Sequence, residues 1–160
     1  MDEQAGVVAK RYIVSSCLAG LSTRYDGTAA PCGSVEAAVE QGVAIPFCPE
    51  QGGGLATPRA PAEIVGGDGL DVLQGRARVV TKSGEDVTEE FIRGAGQMLA
   101  LAQLTGASAA ILKSNSPSCG AGTIYDGTFS GNMEDGDGVA AALLREAGLK
   151  IITEKEFADD

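Results

Sequence analysis

The chain has 160 residues, 44% of them hydrophobic but only 4% aromatic, with no tryptophan and a formal net charge of −10. That length suits one domain with a substantial core, and the charge argues against DNA or tRNA as a partner, since both need concentrated Lys and Arg. Histidine is absent, which excludes Ser-His-Asp and Cys-His catalysis, Cys2His2 zinc and zinc deaminase sites together.

Met1 to Arg11 carries mixed charge and no apolar h-region, and no later stretch approaches a membrane span. A cytoplasmic protein is the expectation, and there four cysteines point to metal or catalysis rather than disulfides. Tyr12 to Ser16 is a β-prone run ending at Cys17, and a long loop follows, Leu21 to Gly33, containing Arg24-Tyr25-Asp26-Gly27. Ser34 is placed to cap a short helix through Gln41, stopped by Gly42. Val43 to Phe47 reads as the second strand, ending at Cys48, with Pro49-Glu50 and the run Gly52 to Gly54 directly after it.

From Thr57 to Val80, prolines, paired glycines and short apolar runs predict loops and a small hairpin. Asp86 with Glu89 resembles a capping box for a helix to about Leu104, its inner face made of Phe91, Ile92, Ala95, Met98, Leu99 and Ala102. Ala107 to Leu112 reads as a buried strand that stops in Lys113-Ser114-Asn115-Ser116-Pro117-Ser118-Cys119-Gly120, a cluster of turn formers. A glycine-bearing loop through Gly131, a helix near Val139 to Ala147 and a last strand from Leu149 to Thr153 complete the chain. No internal repeat or linker is read, so residues 1–160 are expected to form a single domain. The alternation predicts a three-layer α/β/α, Rossmann-like domain with a mostly parallel sheet and a small hairpin insertion.

In this reading Cys17, Cys48 and Cys119 each follow a strand directly. Ligands of an open parallel sheet bind outside the carboxyl ends of its strands. Three cysteines separated by 31 and 71 positions therefore converge on one edge. Free cysteine is often a small core residue, but core packing does not demand three strand ends flanked by glycine, proline or serine. A single nucleophilic thiolate is a second reading. Six residues separate Cys17 from Arg24, one more than a phosphatase loop allows. Structural zinc is a third, and it lacks the paired short cysteine spacings. An iron–sulfur cluster is the fourth. Three thiolates on a four-iron cluster leave one iron open as a Lewis acid for soft donors such as sulfur.

Three groups of residues carry a resemblance: Cys-Leu-Ala-Gly at 17–20 with Arg24-Tyr25-Asp26-Gly27; Phe47-Cys48-Pro49-Glu50 with Thr57-Pro58-Arg59; and Ser116-Pro117-Ser118-Cys119-Gly120 with Tyr125-Asp126-Gly127-Thr128-Phe129. In combination the chain resembles the thiouracil desulfidase family, from about Tyr12 to Ile152. The resemblance implies a 4Fe-4S cluster on Cys17, Cys48 and Cys119, and an open iron that takes sulfur from a thiolated nucleobase or nucleoside, releasing sulfide and leaving a carbonyl. It places the acidic catalytic residue on Glu50 and the catalytic serine on Ser116. Some relatives carry a further cysteine just before the Arg-Tyr-Asp-Gly stretch, where this chain has Thr23. The extra thiol here is Cys32, read as a non-ligand.

On this reading Glu50 activates water for attack on the thiocarbonyl carbon, and Ser116 hydrogen-bonds substrate or relays a proton, with Ser114 and Ser118 as alternatives. Asp26 and Ser114 are secondary candidates for substrate contact. Arg59 and Glu63 either contact substrate or pin the long loops. Lys113 either balances cluster charge or ends a strand in solvent, and the glycine run offers backbone amides to sulfide or substrate. The competing class is a non-catalytic iron–sulfur redox or oxygen sensor built on the same cysteines.

Overall fold

A computed structural model describes residues 10–158. The stretch from Met1 to Arg11, in which no leader was read, lies outside them except for its last two residues. The four strands β1 (Tyr12–Ser15), β2 (Ala44–Phe47), β5 (Ala109–Leu112) and β8 (Lys150–Thr153) form one parallel sheet in the order β2-β1-β5-β8. The chain leaves β1 for β2 on one side and later returns to place β5 on the other. The switch point therefore lies between the carboxyl ends of β1 and β5.

Alternation along the central strands sends side chains to opposite faces. Ile13, Ala110 and Leu112 join one core with Phe91, Ala95, Met98 and Ala102 of helix α4 (Thr88–Thr105) and with Val139 to Ala141 and Leu144 of α5 (Val139–Glu146). Val14 and Ile111 join the other core with Val35 and Ala38 of α1 (Gly33–Glu40), and Phe157 of the C-terminal α6 (Glu154–Ala158) packs against it. This is the expected α/β/α sandwich. Fully burying an aliphatic side chain stabilises a fold by roughly 1.5–3 kcal/mol, so the all-buried Ala109 to Leu112 run anchors the middle of the sheet.

The hairpin insertion is β3 (Ala62–Val65) paired antiparallel with β4 (Arg78–Thr81), its connection carrying a short helix α3 (Gly69–Leu73). A second small ribbon, β6 (Thr123–Tyr125) against β7 (Met133–Asp135), occupies what reads in sequence as a glycine-bearing loop. Its three-residue strands are too short, and β7 too exposed, for periodicity to betray them.

Local details depart from the sequence reading. The capping box lies at α3, where Asp68 and Asp71 exchange side-chain-to-backbone bonds, whereas ahead of α4 Asp86 accepts from the Thr88 amide at 2.9 Å and from Arg78 Nη1 at 3.5 Å. On α4, Ile92 is exposed and Gly94 is buried in its place. The reason is α2 (Pro49–Gly52), a single turn packed across α4. A Cβ on Gly94 would strike the Pro49 carbonyl, and one on Gly53 would strike the Glu90 carbonyl. The amides of Gly52, Gly53 and Gly54 bond the carbonyls of Cys48, Pro49 and Gln51. The glycine run thus serves close helix packing, and its amides are not free for a ligand. Among the described residues, no helix is long and apolar enough to cross a membrane.

Candidate active site

A cavity of about 330 Å3 opens at the carboxyl ends of β2, β1 and β5, and Cys17, Cys48 and Cys119 all line it. Cys48 directly follows its strand and N-caps α2. Cys17 instead lies within a 3-10 turn, Ser16–Ala19, and Cys119 lies seven positions beyond the end of β5. The thiols reach one cavity because their strands are neighbours and because the turn after β5 folds back. In that turn Ser116 Oγ accepts from the amides of Ser118 and Cys119, at 3.1 and 2.9 Å.

All four cysteines are free thiols. Burial pushes the Cys17 thiol up to about 11, eased by Lys113 and Arg24 and reinforced by Cys48. Burial likewise raises Cys48 and Cys119, and Cys119 is raised further by its two sister thiols. Such desolvated sulfurs hold their protons at neutral pH until a metal displaces them. Among the described residues, no group of three or more His, Cys, Asp and Glu side chains is gathered tightly enough for a single metal ion. Three thiols around a shared cavity fit a bulkier thiolate-bound cluster instead.

Glu50, in the first turn of α2, lines the same cavity. Its Oε1 accepts from Arg59 Nε at 2.9 Å and its Oε2 from Ser118 Oγ at 2.7 Å. Arg59 also donates to the Thr23 carbonyl at 2.9 Å and to Thr57 Oγ1 at 2.7 Å, and its Nη2 lies 3.9 Å from Cys48 Sγ. Ser116 and Ser118 stand 2.9 Å apart, Oγ to Oγ. Because Ser118 donates its proton to Glu50, Ser116 donates to Ser118, giving a directed chain Ser116–Ser118–Glu50. The serine touching Glu50 is therefore Ser118, one link from Ser116.

Ser114 lines the cavity, with its amide and hydroxyl both donating to Glu154 at 2.9 Å. Lys113 Nζ lies 3.6 Å from the same Glu154. Asp26 is exposed and does not line the cavity; its carboxylate accepts from the amide and hydroxyl of Thr28, which hold it below the usual carboxylate range. Cys32 N-caps α1, packs at the edge of the second core and is absent from the lining. Thr23 does line the cavity and shares a 2.7 Å hydroxyl pair with Ser16. Sequence reasoning passed over Ser15 and Ser16. Both are buried, and Ser15 Oγ receives the Lys113 amide at 2.9 Å. Two hydroxyls inside an otherwise apolar strand end were the available signal.

Residues 12–156 match the family described as 2-thiouracil desulfurase. This chain belongs to that family. As a 2-thiouracil desulfurase family member it is 54% identical over 147 residues to the Bacillus subtilis (strain 168) protein YbbK, covering 92% of this chain and 97% of the relative. It also superimposes on a solved structure described as a 4Fe-4S-dependent thiouracil desulfidase, TudS, with a TM-score of 0.83 and 42% identity, covering 94% of this chain and 95% of the other. Rossmann-like architecture, family and cavity thus agree across nearly the full chain.

Proposed function

We propose that this protein is a 4Fe-4S-dependent desulfidase that replaces the sulfur of a thiolated pyrimidine such as thiouracil by oxygen, giving uracil and sulfide. The observation that carries the reading is the convergence of three thiols, Cys17 and Cys119 buried and Cys48 half-buried, and a doubly anchored carboxylate on one cavity, in a chain of the 2-thiouracil desulfurase family. Cys17, Cys48 and Cys119 are the ligands in this reading, and no fourth cysteine lines the cavity. When bound, such a cluster supplies a thiophilic Lewis acid for the thiocarbonyl sulfur.

The remaining work falls to protein side chains. Glu50 Oε2, at the end of the serine chain, accepts a proton from water as the water oxygen adds to the thiocarbonyl carbon. The carbon–sulfur bond then breaks with its electron pair on sulfur, and the protons removed from water go to the departing sulfide. Ser118 and Ser116 carry protons between Glu50 and the cavity. No electrons are gained or lost, so the reaction needs no oxidant or reductant. Arg59 fixes the Glu50 carboxylate through a charge-assisted bond, and Lys113 offsets negative charge beside Cys17.

The cavity volume stands at the small end of ligand sites, which supports a free base or nucleoside over tRNA or DNA. Four free thiols suit a reducing cytoplasm. The test is anaerobic reconstitution with iron and sulfide analysis, followed by loss of 4-thiouracil absorbance and release of sulfide. Stoichiometric sulfide is expected. Cluster-loaded protein that binds 4-thiouracil and releases none would overturn the enzyme and leave the redox or oxygen sensor.

A further inference from the structure

The tetrapeptide Tyr-Asp-Gly-Thr occurs twice, at 25–28 and 125–128. The two copies fold alike. In the first, Asp26 Oδ1 accepts from the Thr28 amide at 3.1 Å and its hydroxyl at 2.6 Å. In the second, Asp126 Oδ1 accepts from the Thr128 amide at 3.0 Å and its hydroxyl at 2.6 Å. Both central glycines take the left-handed conformation, at φ 80° and 89°. Each copy begins with a tyrosine that lines the cavity, and these tyrosines are 40% and 37% exposed. The chain has three tyrosines and no tryptophan. The third, Tyr12, packs edge-on against Phe157 away from the cavity. Both tyrosines available for a ligand therefore stand at this opening.

One short segment anchors both turns. The Arg59 amide donates to the Tyr25 carbonyl at 2.8 Å. Four residues on, the buried Glu63 carboxylate of β3 accepts from the amides of Gly127 and Phe129, at 2.9 and 3.1 Å. Phe129 is held at φ 57°, a conformation that bulky residues avoid. The hairpin insertion thus has a role: the segment that leads into and begins β3, Arg59 to Glu63, holds both matched turns. Glu63 is a positioning residue in this arrangement.

We propose that Tyr25 and Tyr125 are the specificity-determining pair of this site, rim aromatics that stack on the planar ring of the pyrimidine while its thiocarbonyl enters the cavity. The proposal rests on the desulfidase reading and adds to it how the ring is held. Aromatic stacking is indifferent to base edges and rewards any flat heterocycle. It favours a pyrimidine over an acyclic thioamide of equal sulfur chemistry.

The test uses cluster-loaded protein with matched iron content and compares Tyr25→Ala, Tyr25→Phe, Tyr125→Ala and Tyr125→Phe. Each alanine variant is expected to raise KM for 4-thiouracil on the order of tenfold, with the loss in KM rather than kcat, and each phenylalanine variant to restore the wild-type value. A merely structural role would lower iron content and kcat instead. Alanine variants with wild-type KM, or phenylalanine variants as impaired as alanine, overturn the proposal. Equilibrium dialysis of uracil against the same loaded proteins separates this outcome from failure of the desulfidase reading. Absent sulfide release from wild-type protein counts against the reaction. Uracil binding that is undetectable, or that is equal in the wild type and both alanine variants, counts against the tyrosine pair whatever the turnover.

Discussion

Arg59 meets Glu50 at 2.9 Å, Nε to Oε1, with the two side chains only 9% and 13% exposed. The same guanidinium reaches the Thr23 carbonyl and approaches Cys48 Sγ, so one side chain joins the acid, a cavity-lining loop and a thiol. A lysine has a single compact head and cannot span these partners. Arg59→Ala leaves a carboxylate buried without its partner, at a cost of about 3–5 kcal/mol. Arg59→Lys is expected to fold but to lose on the order of tenfold or more in kcat. Urea denaturation and sulfide-release rates on matched cluster content measure the two effects.

The two serines of the relay are expected to fail differently. Ser118 donates directly to Glu50, so Ser118→Ala lowers kcat while iron content holds. Ser116 accepts the amides of Ser118 and Cys119. Ser116→Ala leaves both amides unpaired, costs about 1–3 kcal/mol and loosens the turn carrying Cys119, so iron retention falls along with turnover. Iron per chain after gel filtration distinguishes the two variants.

Two glycines of α4 give opposite outcomes. A methyl at Gly94 strikes the Pro49 carbonyl at the foot of the turn that carries Glu50, whereas one at Gly96 meets nothing within 4 Å. Gly94→Ala is expected to destabilise by about 1–3 kcal/mol and to reduce activity by displacing Glu50. Gly96→Ala stabilises by up to about 1 kcal/mol, the helix preference for alanine. Thermal unfolding of the pair checks both signs.

The cluster-free protein has an alkaline weakness. The Cys17 thiol titrates near 11 in the fold against an ordinary 9.0, so between these values the unfolded chain has released a proton that the folded chain still holds. Stability is therefore full below about pH 9 and falls as pH rises towards 11, by on the order of 2 kcal/mol for this thiol. Denaturation midpoints from pH 7 to 11 should slope downward, and Cys17→Ser should make the slope shallower without abolishing it, since Cys48 and Cys119 are raised by burial as well.

The central strands were legible because they are apolar runs ended by turn formers, and Ala109 to Leu112 is buried at every position. The α2 turn was not legible, since four residues of Pro-Glu-Gln-Gly carry no period. Its glycines read as a possible ligand cradle until α4 was seen pressed against them. The β6–β7 ribbon and the Asp68–Asp71 cap escaped for a similar reason: each is shorter than the window in which a pattern emerges. The repeated Tyr-Asp-Gly-Thr was in plain view as letters. Nothing local says that two turns a hundred positions apart share a cavity wall.

By itself the amino-acid order determined the chemistry on hand: no histidine, three thiols near strand ends, an acid beside one of them, and hydroxyls crowding another. It also determined a parallel α/β sandwich, because hydrophobic periodicity is a local property. Tertiary structure alone decided which hydroxyl meets Glu50, which cation holds it, and which aromatic residues ring the opening. The two partners of Glu50 lie 9 and 68 positions along the chain from it. Their meeting depends on strand order and on how closely α2 can approach α4, and neither leaves a trace in any short stretch of chain.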